Sequence, residues 1–189
     1  IRDSTDGTPW ECCPRAFLRR AETALSTACG LSLMAAFEQE FIYTGTPEQA
    51  GHAYSLSAWR KQGIFGETFI GALRSAGVTP DTFLPEYGGR QFEVAIGPQP
   101  ALKAADHAVI TREMARAAAH RLGQRVSFSP MPVPDGVGNG VHIHMSLWDS
   151  SGAPATHDAS QPMGLSKLAQ QFCAGVLHHM SALCAVTAH

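Results

Sequence analysis

The chain has 189 residues, 44% of them hydrophobic and 16% charged, with a formal net charge of −2. That length fits one domain or one large piece of a domain and can bury roughly 70% of its unfolded surface. The near-neutral charge argues against nucleic acid or anionic lipid as a partner. No apolar run approaches the ~18 residues of a membrane span, and the polar start "IRDSTDGTPWECC" is not a signal peptide.

In chain order, "PRAFLRRAETALSTACG" (14–30) predicts a helix with Pro14 in its first turn, Phe17, Leu18, Ala21 and Leu25 on one side, and Gly30 at its end. Residues 31–44 predict a strand, 45–63 a loop-rich stretch and 64–78 a second helix. Strand signals follow around 81–85 and 91–97, the second led by a Gly88-Gly89 turn or bulge. An alanine-rich helix is expected over 99–123, closed by Gly123. A short strand in 124–134 breaks at its prolines, a flexible loop covers 135–140, a strand 141–149 and a closing helix 164–186. Strands interleaved with long helices imply an α+β fold with a mostly antiparallel sheet.

The five cysteines (Cys12, Cys13, Cys29, Cys173, Cys184) have no metal-type spacing. They read as reduced thiols of a cytoplasmic protein, with Cys29, Cys173 and Cys184 as small core residues. The chain starts at Ile1 without Met and stops within a helical pattern, so it reads as an interior fragment of a longer protein.

Three strands share one feature. Glu38 and Glu40 fall on the face opposite Phe37, Phe41 and Tyr43. Glu93 faces away from Phe92, Val94 and Ile96. His142, His144 and Ser146 oppose an apolar face of Val141, Ile143, Met145 and Leu147. Such faces are often simply solvated. Here, however, they lack the Lys, Thr and Arg that usually mix into a solvent face, and Glu86 and Glu93 have only Arg90 nearby. Carboxylates gathered without cations repel unless a divalent ion neutralises them. Four Glu and one His are hard ligands suited to Mg²⁺ or Mn²⁺ more than to zinc.

"FEQEF", "EYGGRQFEVAIGP", "AADHAVITRE" and "GNGVHIHMSLWD", in this order and at these separations, resemble the catalytic domain of the glutamine synthetase family from about residue 14 onward. The resemblance implies that Glu40, Glu86 and Glu93 hold the metal nearest the amino-acid substrate, while Glu38 and His142 hold a second that bridges the ATP phosphates. It assigns His144 and Ser146 to the nucleotide and the Gly138 carbonyl to the substrate amine. The implied chemistry is ATP-dependent amide formation between glutamate and ammonia through an acyl phosphate, with two or more Mg²⁺ or Mn²⁺ ions, in a ring-like homo-oligomer.

There are departures from the family pattern. The usual Asn-Gly-Ser-Gly loop is Val137-Gly138-Asn139-Gly140, and Gly89-Arg90 replaces a more usual Pro-Gly. The loop change leaves room for another acceptor, as in a gamma-glutamyl-amine or polyamine ligase. A non-catalytic metal-binding relative and a dinuclear hydrolase are the readings outside that chemistry. The family's small N-terminal β-grasp domain and the arginine-rich segment expected after His189 are not in these 189 residues. The piece is therefore expected to be a partial catalytic domain, silent by itself.

Overall fold

The computed structural model describes residues 1–48 and 51–187; positions 49 and 50 of the expected 45–63 loop, and the last two residues, lie outside them. The fold is α+β, as the interleaved pattern predicts. Its elements are α1 (Pro14–Cys29), β1 (Leu31–Tyr43), α2 (Leu56–Arg60), α3 (Phe65–Ser75), β2 (Pro80–Pro85), β3 (Gln91–Ile96), β4 (Gln99–Pro100), α4 (Ala101–Arg121), β5 (Val126–Ser127), β6 (Val141–Asp149), a 3₁₀ turn (Pro162–Gly164), α5 (Lys167–His178) and α6 (Met180–Thr187). The sheet runs β2-β3-β1-β4, and β5 and β6 also pair with β1. β1 and β3 are antiparallel, with Glu40 opposite Glu93 and Phe41 opposite Phe92.

The chain divides into two compact units. The larger contains residues 36–99 and 103–144 and holds the hydrophobic core. Phe41, Tyr43, Phe65, Phe69, Phe92 and Val94 are buried there, and α4 contributes Ala115, Ala118 and Ala119. The α4 alanines add small side chains to this core and aromatic rings fill the rest: Tyr43 and Phe65 stack at 4.0 Å and Phe41 meets Phe69 edge-on at 6.0 Å. α4 ends where Gly123 takes a φ of 68°, a left-handed conformation that glycine adopts without strain. The loop-rich stretch contains one short helix, α2, because the Ser55 hydroxyl accepts from the Ala58 amide at 3.2 Å and caps it.

The other unit contains residues 1–35, 100–102 and 145–189. α1 ends at Gly30, with φ 66°, as expected, and the Glu22 carboxylate accepts from the Leu102 amide at 3.1 Å. α1 buries none of its residues, so Phe17 is exposed instead of packing on a core. The expected closing helix is two helices, interrupted at His179, whose carbonyl accepts from the Ala182 and Leu183 amides as the next helix starts. Because these helices bury so little, Cys29, Cys173 and Cys184 are exposed, correcting the expectation of core thiols; Cys13, just ahead of α1, is the buried one. All five cysteines are free. Among the described residues no helix is long and apolar enough to cross a membrane.

Two strands depart from the half-buried pattern. β3 is buried on both faces, including Gln91 and Glu93. β6 is the reverse: Val141, Ile143 and Met145 are exposed along with His142 and His144, and only Leu147 of the expected apolar face is buried. Alternation fixes which residues share a face; burial depends on whether another layer covers it.

Candidate metal centre

The larger unit carries Glu38, Glu40, Glu86, Glu93, Gly138, His142 and His144. β1 presents Glu38 and Glu40 two residues apart, hence on one face, and β3 sets Glu93 directly across from Glu40. Glu86 follows β2, and its amide donates to the Gln91 carbonyl at 2.9 Å across the turn. Both turn glycines answer a close approach. A Cβ on Gly88 would lie 2.7 Å from the Gln91 side-chain oxygen, and one on Gly89 would lie 2.9 Å from the Glu48 carbonyl. Arg90, with φ 60°, is the turn residue that takes the left-handed conformation.

Glu38, Glu93 and His142 each offer one ligand atom, and the three atoms lie within 4.8 Å of one another. An octahedral Mg²⁺ at about 2.1 Å from its ligands separates opposite ligand atoms by about 4.2 Å, so the cluster is close to the span one ion requires. Glu38 also lies against both histidines, with Oε2 3.3 Å from His142 Nδ1 and Oε1 3.0 Å from His144 Nε2. The two histidines are well exposed, whereas Glu93 retains 9% of its exposure.

The electrostatics of Glu93 follow from its surroundings. Burial first, then the neighbouring Glu38, Glu86 and Glu40 carboxylates, push its carboxyl up to about 7, with His142 acting in the opposite sense. A buried carboxylate facing three others without a cation is held in a state that a divalent ion would relieve. The donor set therefore fits Mg²⁺ or Mn²⁺: oxygen-rich, one imidazole, no thiolate.

Glu40 and Glu86 fall outside the three-atom cluster, and each has its own supports. Glu40 Oε2 accepts from the Gly140 amide at 2.9 Å and from Gln91 Nε2 at 3.0 Å, so Oε1 carries its remaining acceptor capacity. Glu86 Oε2 accepts from the Tyr87 amide at 3.2 Å and faces the Tyr54 hydroxyl at 3.5 Å. Partial desolvation and the negative Glu86 raise the Tyr54 hydroxyl to about 12, so it stays protonated and able to donate. The Gly138 carbonyl accepts from Gln91 Nε2 at 2.8 Å, and a Cβ at Gly138 would lie 2.8 Å from the Pro130 carbonyl. Ser146 belongs to the smaller unit, where its hydroxyl accepts from Trp148 Nε1 at 2.9 Å.

Three residues absent from the sequence-based set belong here. Gln91 shares the face of Glu93 by the same alternation, which is the signal that could have found it. Asn139 is buried and donates to the Ser129 carbonyl at 2.8 Å, supplying the loop 137–140 with an amide two positions after Val137. Tyr54 has no sequence signal; the loop geometry alone carries it to Glu86.

The catalytic-domain pattern of glutamine synthetase matches residues 11–189. Gamma-glutamylpolyamine synthetase of Streptomyces coelicolor is 35% identical over 99% of this chain and 42% of its own length. Type-1 glutamine synthetase 1 of Dictyostelium discoideum is 34% identical over 94% of this chain and 39% of its own length. A solved structure described as a novel glutamine synthase homolog superposes with a TM-score of 0.91 at 47% identity, over 97% of this chain and 43% of that one. The chain spans about two fifths of the length of the relatives it matches. With its α+β sheet and carboxylate-lined strands, the chain belongs to the glutamine synthetase catalytic-domain family.

Proposed function

We propose that this chain is the metal- and nucleotide-binding part of an ATP-dependent ligase that joins the side-chain carboxylate of glutamate to ammonia or another amine through an acyl phosphate. The observation that carries this reading is Glu93, buried beside Glu38, Glu40 and Glu86 and pushed up to about 7. Carboxylates gathered around a buried glutamate suit a divalent cation, and the family resemblance implies a site that couples such an ion to ATP. Glu38, Glu93 and His142 would hold one ion, and Glu40 Oε1 and Glu86 extend the ligand set toward a second. Bound Mg²⁺ or Mn²⁺ would neutralise charge on the transferring phosphoryl group.

The chain's own groups do the rest. Gly140 N–H and Gln91 fix one oxygen of Glu40, so its other oxygen presents in one direction. Tyr54 and the Tyr87 amide hold Glu86 in the same way. The Gly138 carbonyl keeps one lone pair for a substrate ammonium, and His144 and Ser146 are the nucleotide-facing pair. Glutamate, ATP and an amine are the small-molecule partners of this reading, a homo-oligomer its assembly and the cytoplasm its location.

A gamma-glutamyl-polyamine acceptor is the second reading. It is favoured by the 35% identity to a gamma-glutamylpolyamine synthetase and by Val137 in the substrate-side loop. Phosphate release by the full-length protein decides between them, measured with ATP, glutamate and Mn²⁺ and with ammonia, a monoalkylamine, a diamine or a polyamine in turn. Turnover that requires both glutamate and one of these amines supports the ligase and names its acceptor. ATP binding without amine-dependent turnover would point to a non-catalytic relative, and hydrolysis without ATP to a hydrolase.

A further inference from the structure

Gln91 is 2% exposed, and its amide sits where the substrate-side loop, a metal-ligand candidate and the β2–β3 turn meet. Nε2 lies 3.0 Å from Glu40 Oε2, 2.8 Å from the Gly138 carbonyl and 3.0 Å from Asn139 Oδ1. Oε1 accepts from the Gly88 amide at 2.8 Å. This orientation is the one the surroundings permit. Turning the amide over would set its oxygen against three acceptors and its NH₂ against an N–H. Asn139 is fixed in the same manner, since its NH₂ donates to the Ser129 carbonyl and its oxygen must then face Gln91. In the 137–140 loop the Gly138 carbonyl accepts from Gln91, the Gly140 amide donates to the Glu40 carboxylate, the Gly140 carbonyl accepts from the Glu40 amide at 3.1 Å, and Asn139 donates to the Ser129 and Pro130 carbonyls.

We propose that Gln91 is a positioning residue that sets the separation between the Gly138 carbonyl and the free oxygen of Glu40. One amide group ties both to the turn that leads from Glu86 to Glu93. The two places where an amino acid would be gripped, at its ammonium by Gly138 and through the ion at its carboxylate by Glu40, are thereby held to a common frame. This rests on the ligase reading for the identity of the substrate, but the tie itself is a property of the chain. It also gives Gln91 a selective signature. The amino-acid side of the site depends on it, while His144, the nucleotide-side group in the same unit, meets Glu38 and among the described residues has no hydrogen bond to Gln91.

Two variants of the full-length protein test this. Gln91→Met keeps the volume and removes both halves of the amide; Gln91→Glu keeps the oxygen that accepts from Gly88 and removes the donors. Each hydrogen bond to a charged or buried acceptor is worth about tenfold or more in an equilibrium. In Gln91→Met, hydrogen exchange at the Gly88 amide, which loses its acceptor, should therefore accelerate about tenfold or more; the Gly140 amide, whose acceptor Glu40 Oε2 loses its bond from Gln91, should also accelerate, while Phe41 and Val94 in the core keep wild-type protection. In Gln91→Glu the Gly140 amide should accelerate and the Gly88 amide should not. Both variants should raise KM for the amino-acid substrate about tenfold or more and leave KM for ATP within about twofold. Equal rises in both KM values, or wild-type protection at Gly140 in both variants, would overturn the proposal. If neither variant folds, the wild-type protein still decides: the Gly88 amide donates to Gln91 Oε1, so an unprotected Gly88 amide would overturn the proposal and a protected one would support it. A wild-type protein without ligase turnover would remove the substrate reading and leave the exchange result standing as the measure of Gln91.

Discussion

In β3 every residue from Gln91 to Ile96 is buried, whereas in β6 both faces from Val141 to Met145 are exposed. The two strands contribute to one candidate metal centre from opposite regimes. β3 brings a carboxylate whose charge is costly where it stands, and β6 brings two imidazoles already in contact with water. The contrast assigns different work to each. Glu93 supplies the demand for a cation, because its burial and its carboxylate neighbours penalise ionisation. His142 and His144 supply reach, meeting Glu38 at 3.3 and 3.0 Å from an open strand.

The sharpest test of that contrast is Glu93→Gln. On the proposed ligase reading, the neutral amide removes a candidate ligand and the charge that would draw the ion, so turnover of the full-length protein should fall by about 10³-fold or more. The metal-free protein should become more stable at pH 8, since a buried charge without a partner is gone. A variant that loses turnover and stability together would show Glu93 to be a structural residue. On the same strand, Phe92→Ala empties a site 1% exposed between Tyr43, Phe41 and Phe83, and should cost about 3–5 kcal/mol in denaturant unfolding.

The pH dependence of Glu93 has a definite sign. Its carboxyl is raised from 4.5 to about 7, so the folded, metal-free protein binds more protons than the unfolded chain between these values. The Glu93 contribution to stability is therefore intact below about 4.5, declines as pH rises toward 7, and is then constant at its lowest value. Mn²⁺ binding should run the other way. Below about 7 the ion must displace a proton, so affinity should drop about tenfold per pH unit, as titration calorimetry in buffers of different ionisation enthalpy would measure. Affinity independent of pH between 5 and 7 would mean that Glu93 is not a ligand.

How much of this was legible in the sequence varies by element. The helices 14–29 and 101–121 follow from Pro14, Gly30 and Gly123 and from composition, and the strands carrying Glu38, Glu40, Glu93 and His142 follow from alternation. Local rules operate within a few residues, and these features are local. The burial of β3 on both faces, the exposure of β6, and the outward-facing Cys29, Cys173 and Cys184 were not legible, because each depends on whether a distant element covers a face. The convergence of Glu38, Glu93 and His142 combines both kinds: alternation placed each on a polar face, and the β1–β3 register brought Glu40 opposite Glu93. Gln91 and Asn139 show the limit. They carry no charge to draw notice, yet a buried amide that meets three acceptors is as specific as any carboxylate in the site.

The smallest effect is expected on β6. Ile143 is 48% exposed and its neighbours Val141 and Met145 are similar. Truncation there removes few contacts in the 189-residue chain, and a surface substitution of this kind usually changes stability by no more than about 0.5 kcal/mol. Ile143→Ala should thus leave the unfolding midpoint of the 189-residue chain nearly unchanged, an order of magnitude below the effect of Phe92→Ala. The same substitution in the full-length protein is informative in the opposite direction. If a further layer covers β6 there, Ile143 becomes a core residue and the cost rises to about 2–5 kcal/mol. Comparing one substitution in the two lengths of chain therefore reads out whether β6 is an open strand or one face of a larger core. An equal, large loss in both would show that the strand is already packed in this chain, and the contrast with β3 would fall.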